Sequence, residues 1–452
     1  MKRKREVSQI LIDDMVTYIT KFLPRSAWFS FLLVSRQFLR CGRDTLGGII
    51  PTEQDFRQVC KNGKITSVSY LLRNSQIDPA NRNNFAFCIA SHYGHTSVVS
   101  LLLHDERINP AANYNDAFRD ASSNGHVRIV DILLHDKRID PAARNNEAIC
   151  WASKEGHDQV VSLLLNDHRV DPSASNNRAI CWASRHSHEN VVVLLLNDPR
   201  VDPSARNNQA IIDASSIGEH KMVTLLLTDR RVDPAAQDNR AIKLASMNGH
   251  DKMVAVLLTD SRVNPADSNN YAIKKASKHG YYTVVALLSA DPRVNPSVND
   301  DEVFRLASEN GYHKIVALLL EDPRVNPAAY DNYAIRWASI NGHNKVVTLL
   351  SADSFKRVDP SAKNNEAIRM ASNSGFYNIV AFLLKDSRVN PSADDNYAIR
   401  WASRNGHDNV VALLLADSRL ILYSTPKTKK AMRLTIQNGH TEIIKLLNAH
   451  IY

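Results

Sequence analysis

Glycine is scarce in this 452-residue chain, 15 in all, against a usual share of about 7%. Twelve of the 15 fall at one position of an internal repeat, so glycine has a specific backbone task here. The five cysteines (Cys41, Cys60, Cys88, Cys150, Cys181) form no CxxC and no framework spacing. That excludes a disulfide scaffold and points to reduced thiols in a cytosolic or nuclear setting. The longest apolar run, Ala27 to Val34, is far too short to span a bilayer. No secretory signal is expected, because the opening MKRKREVSQ leads into an amphipathic stretch. Phosphate-loop, zinc-protease, nucleophile-elbow and kinase motifs are all missing, so neither catalysis nor a cofactor is expected.

The net charge of +9 is unevenly placed. Residues 1–50 carry +5 and residues 419–452 carry +5, which leaves 51–418 at −1. A module that tracks phosphates needs a basic stripe along its body, so nucleic-acid binding is the weaker expectation and would have to use the basic ends.

What is present is a period. Residues 141–171 read PAARNNEAICWASKEGHDQVVSLLLNDHRVD, and the next 31 read PSASNNRAICWASRHSHENVVVLLLNDPRVD. The loop prolines from 79 to 391 recur at steps of 31 with one step of 33, where SADSFKRVDP (351–360) gains two residues. A fixed period of this size means a stacked array of small units. Asn145–Asn146 is placed to N-cap a short helix marked by Ala148, Ile149 and Ala152. Gly156 can take the left-handed conformation that closes it. Val160, Val161, Leu164 and Leu165 mark a second amphipathic helix. The expected fold is all-α: a solenoid of about 13 short, 31-residue repeats, because two helices and a loop cannot bury their apolar faces alone.

The segment EAICWASKEGHDQVVSLLL (147–165) resembles the ankyrin repeat, with Ala148 and Cys150 at the family's Pro and His positions. The resemblance covers roughly 51–452, and the shorter unit implies short fingers in place of β-hairpins. The D-x-R-V-D-P-S-A dialect of the loops is similar to the ankyrin arrays of giant DNA viruses of amoebae, which would place the protein in the cytoplasm or nucleus of a host cell.

Residues 1–8 read as a disordered basic start, a nuclear localisation signal being the alternative. Residues 9–50 resemble an F-box: Leu11, Asp13, Asp14, Ile19, Leu23, Pro24, Val34, Arg36 and Phe38 match, while Ile12 replaces a proline and Ser35 a cysteine. The resemblance implies a three-helix unit that docks on the Skp-type adaptor of a cullin–RING ubiquitin ligase through Leu11, Ile12, Met15, Ile19, Leu23, Pro24, Val34 and Phe38. Residues 51–418 would be the array, and 419–452 an atypical capping repeat in which Leu420 to Tyr423 replace V-D-P-S.

Recurrent residues read as architecture. The loop Asp and Arg (Asp167/Arg169 and their counterparts) are expected to pair with each other or cap helix ends, and the His after each Gly to be structural. Two columns vary. Lys243, Lys274, Arg305, Arg336, Arg369 and Arg400 stand at one first-helix position, either as a basic stripe on the concave face or paired locally with Asp238, Asp300, Asp331 and Asp395. Trp151, Trp182, Trp337 and Trp401 stand one residue further on, as binding anchors or as packing between repeats. The two columns form the candidate target-binding surface for a protein of unknown identity.

Overall fold

The computed structural model describes residues 52–73, 76–352, 357–421 and 426–451. The basic start and the F-box-like unit, with Leu11, Ile12, Met15, Ile19, Leu23, Pro24, Val34 and Phe38, lie outside them, as do residues 353–356 of the longer loop.

The described residues form thirteen pairs of helices and no strand. The chain divides into two units, residues 1–214 with 224–232, and residues 215–223 with 233–452. Inside each unit the first helix of a repeat packs on the first helix of the next, and second helices pack on second helices. Each unit is thus a helical solenoid.

Within one repeat the sequence explains most of the geometry. Ala148, Ile149 and Ala152 of the first helix are buried, and so are Val160, Val161 and Leu164 of the second (Asp158–Asn166). Gly156 closes the first helix at φ 80°, in the left-handed region. The His157 amide then bonds back to the Ala152 carbonyl at 2.9 Å, which satisfies an end-of-helix acceptor.

The start of the first helix differs from expectation. Arg144, Asn145 and Asn146 all sit in the left-handed region, with φ of 54°, 62° and 60°. An N-cap residue holds an extended backbone and accepts from its own helix, so Asn145–Asn146 is not a cap. The same left-handed triplet recurs in eleven repeats, from Arg82–Asn84 to Asp394–Asn396. Each such residue costs roughly 1–2 kcal/mol unless its side chain is short and polar, which accounts for the Asn and Asp of these triplets. A bond toward the next repeat offsets the strain: Asn146 Oδ1 accepts at 2.8 Å from the amide of Asp171, in the loop that leads into that repeat. Asn84, Asn115, Asn177, Asn270, Asn332 and Asn365 do the same, and Asp301 substitutes its carboxylate.

Two more ties join neighbours. His157 Nε2 donates to the Ser123 carbonyl at 2.9 Å, and His95, His126, His188, His250, His343, His407 and His440 make the equivalent bond. A carbonyl only accepts, so Nε2 carries the proton. Each ring covers the glycine of the preceding repeat: a Cβ on Gly125 would stand 2.6 Å from His157 Nδ1. Tyr281, Tyr312 and Phe376 cover glycines likewise. The third tie is Arg169, whose guanidinium reaches back to the Ile139 and Leu134 carbonyls at 3.1 and 3.0 Å while pairing with Asp167.

The array ends where its dialect breaks. Asn396 is fully buried, yet neither its oxygen nor its nitrogen has a hydrogen-bond partner. Ile421 stands where other repeats carry the clamped Asp or Asn, and its amide donates to Ser392 Oγ instead.

Candidate functional site

The first helices present the two variable columns. Nine of their ten residues are half-buried and Arg336 is buried, at 8% exposure.

The cations are paired, but the local acids are not the partners expected. Arg305, Arg336 and Arg400 donate through Nε to the backbone carbonyls of Asp300, Asp331 and Asp395, at 2.9, 2.9 and 2.7 Å. Arg369 does the same to the Asn364 carbonyl at 3.0 Å. These carbonyls belong to the left-handed triplets. Charge is matched instead by the following repeat: Lys243 by Asp267 at 3.2 Å, Lys274 by Glu302 at 3.4 Å, Arg369 by Asp394 at 2.8 Å, and Arg336 by Glu366. Among the described residues Arg305 and Arg400 form an ion pair with no carboxylate; they lie over aromatic rings, Arg305 Cζ at 4.9 Å from the Tyr330 centroid and 5.2 Å from Tyr333, and Arg400 Cζ at 5.8 Å from Tyr397. Cation–π contacts of this kind contribute about 0.5–1 kcal/mol at exposed sites.

The tryptophans pair with aromatic or basic neighbours. Trp151 and Trp182 meet across two repeats, centroids 5.3 Å apart, under Lys154 and Arg178 respectively. Trp337 stacks on Tyr333 at 5.4 Å, and Trp401 tilts onto Tyr397 at 5.6 Å. Sequence reasoning missed Tyr333, Tyr397, Glu302 and Glu366. A signal was there: the position nine before the glycines from Gly280 to Gly406 alternates Tyr271, Glu302, Tyr333, Glu366 and Tyr397, and of these Tyr333 and Tyr397 lie against the basic column while Glu302 and Glu366 neutralise it.

Cys150 and Cys181 occupy the basic column in the first unit. Burial pushes their thiols up to about 11, and those of Cys60 and Cys88 to about 12. They stay protonated, packed thiols and weak nucleophiles. Among the described residues no group of three His, Cys, Asp or Glu could hold a metal ion.

The loop Asp–Arg pairs are the main titrating feature. Hydrogen bonds from Arg169 hold the Asp167 carboxyl below the usual carboxylate range, and Asp105, Asp136, Asp198, Asp229, Asp260, Asp291, Asp322 and Asp417 are lowered by their own arginines. A depressed folded-state pKa contributes stability that is present above the unfolded value, about 3.9, and lost as pH falls through the folded value. Asp167→Asn is therefore expected to cost about 0.5–1 kcal/mol at pH 7 and progressively less as pH falls below about 3.9, read from urea midpoints across that range.

Repeating helix pairs, tied head to tail by side chains that reach the next repeat, define a helical repeat protein. The ankyrin-repeat family profile, three copies, matches residues 56–145, 118–207 and 304–395, more than half of the chain. The chain belongs to the ankyrin-repeat family, and ankyrin repeats indicate a role in binding other proteins. Comparison with curated proteins gives no match. No helix among the described residues is long and apolar enough to cross a membrane.

Proposed function

We propose that this protein is a non-catalytic substrate receptor of a cullin–RING ubiquitin ligase. The observation that carries the reading is the F-box-like pattern of residues 9–50 placed directly ahead of an ankyrin array. Leu11, Ile12, Met15, Ile19, Leu23, Pro24, Val34 and Phe38 hold the Skp-type adaptor. The first-helix face of 51–418 holds the target protein, with residues 419–452 as its cap. Half-buried tryptophans and arginines suit that role, since such side chains dominate binding hot spots. The setting is the cytoplasm or nucleus, of a host cell if the source is a virus.

A plain scaffold that sequesters a partner is the second reading, favoured by Ile12 and Ser35, which depart from the F-box pattern. Co-purification with a Skp-type adaptor separates the two. The full chain is expected to retain the adaptor, and Leu23→Ala with Pro24→Ala to weaken retention at least tenfold. Failure of the unaltered chain to bind, or equal retention by the variant, removes the ligase role and leaves the scaffold.

A further inference from the structure

We propose that target binding centres on the first helices between Arg305 and Arg404 of the second unit and that the partner is an acidic peptide segment carrying an aromatic or long aliphatic anchor. The inference deepens the protein-binding reading above and rests on it.

The basic column is not uniform. In the first unit the same position holds Arg119, matched by Asp116 and Glu147, then Cys150, Cys181 and Ile212, with Asp120 and Asp213 alongside. One cation of that column there, Arg57, has no carboxylate partner among the described residues; it lies over the Phe85 ring at 5.8 Å, and the neighbouring column beside it holds Gln58 and Ile89, not tryptophan. In the second unit Lys243, Lys274, Arg336 and Arg369 are neutralised by acids of the following repeat. Among the described residues Arg305 and Arg400 have no such ion pair. Each spends Nε and Nη2 on backbone carbonyls, at 2.9 and 2.9 Å for Arg305 and 2.7 and 3.0 Å for Arg400. These bonds and the rings beneath fix the guanidinium, and they leave Nη1 without an ion-pair partner among the described residues, although Arg305 still feels Glu302 and Asp301 through space. Arg404, over Trp401 at 4.5 Å, is a third cation with no carboxylate partner among the described residues. A cation already held in place loses little side-chain entropy when a carboxylate arrives.

Between these charges runs an apolar stripe. Trp337, Met370 and Trp401 share one position on three successive first helices, all half-buried. Trp337 and Trp401 are held by Tyr333 and Tyr397. Aromatic residues, Met and Arg are the types enriched at interface centres. The ligand that fits is one with discrete negative charges flanking an apolar group. A nucleic acid fits less well: Glu302, Glu366 and Asp394 already interleave the cations, and Asp300 and Asp395 stand exposed beside them, so a continuous line of phosphates would meet like charge.

The test is selection of a displayed random-peptide library on the full chain, with affinities measured by fluorescence anisotropy at 50 mM and 500 mM salt. Net-negative peptides with an aromatic or aliphatic residue are expected. Arg305→Glu with Arg400→Glu should weaken them at least tenfold while the helical circular dichroism is kept, and peptides with lysine in place of their acids should bind that variant better than the unaltered chain. Trp337→Ala with Trp401→Ala should also cost tenfold, and Trp151→Ala with Trp182→Ala less than twofold. No enrichment, enrichment of neutral or basic peptides, indifference to the charge reversal, or displacement by a 15-nucleotide oligothymidylate overturns the proposal. Adaptor retention, which depends on residues 9–50, is read separately, so either result can fail alone.

Discussion

Gly125→Ala is expected to destabilise the array by about 2–4 kcal/mol. Left-handed backbone costs an alanine roughly 1–2 kcal/mol, and the lost chain entropy of glycine returns only about 0.4–1. The larger part comes from the next repeat. A Cβ on Gly125 would stand 2.6 Å from His157 Nδ1, and the ring cannot withdraw without breaking its bond to the Ser123 carbonyl. That bond is worth about 1 kcal/mol, and the unsatisfied carbonyl adds its own penalty. In a His157→Ala background the same substitution should cost only the backbone share, about 1–2 kcal/mol. Native-state hydrogen exchange of the third and fourth repeats, in the four members of the cycle, measures the coupling; equal costs in both backgrounds would show that the ring is irrelevant. The chain already contains a related case. Ser187 replaces the glycine, at φ 63°, in one repeat, and the residue 32 positions on is Glu219, the one non-ring residue of that column after Lys64.

Asn146→Ala is expected to cost a similar 2–4 kcal/mol. Alanine tolerates the left-handed region poorly, and the Asp171 amide, which Asn146 Oδ1 accepts from at 2.8 Å, would be left without a partner, at about 1–3 kcal/mol. Asn146→Asp should be much milder, because Asp301 performs the same clamp on the Asn326 amide at 3.0 Å. The carboxylate carries a pH signature. Burial raises the Asp301 carboxyl above its ordinary value. A raised folded-state pKa favours the native state once the group is protonated, so its cost is present at neutral pH and fades as pH falls through that value. Asn146→Asp should therefore lose less stability at pH 4 than at pH 7, as read from urea midpoints. A uniform loss across that range would mean that the clamp carboxylate is solvated.

The helices and their core were legible in the sequence, since Ala148, Ile149, Val160, Val161 and Leu164 fall at helical spacing and are all buried. So was the structural role of the column histidines, because one ligand per repeat cannot gather around an ion. The Asn pair was misread. Asn before an apolar helix looks like a cap, and only the position of the next repeat's loop shows that its acceptor points outward along the stack. The glycine's task was half visible: its left-handed turn follows from residue type, whereas the ring that forbids a Cβ lies in the next repeat. The basic column was misassigned for the same reason. Proximity in sequence favoured Asp300 and Asp331, and the carboxylates that match charge stand a repeat away, at Glu302 and Glu366.

The ties described above all run between adjacent repeats: Asn146 to Asp171, His157 to Ser123, Arg169 to Ile139. Among the described residues nothing of this kind skips a repeat, which gives the molecule a mechanical character. Drawn out by its ends, it should yield as a zipper does, one 31-residue tooth at a time, each releasing roughly 100 Å of slack chain. The seam between the repeat of Asn396 and the capping repeat should open first, where Asn396 sits fully buried with no hydrogen-bond partner for its side chain.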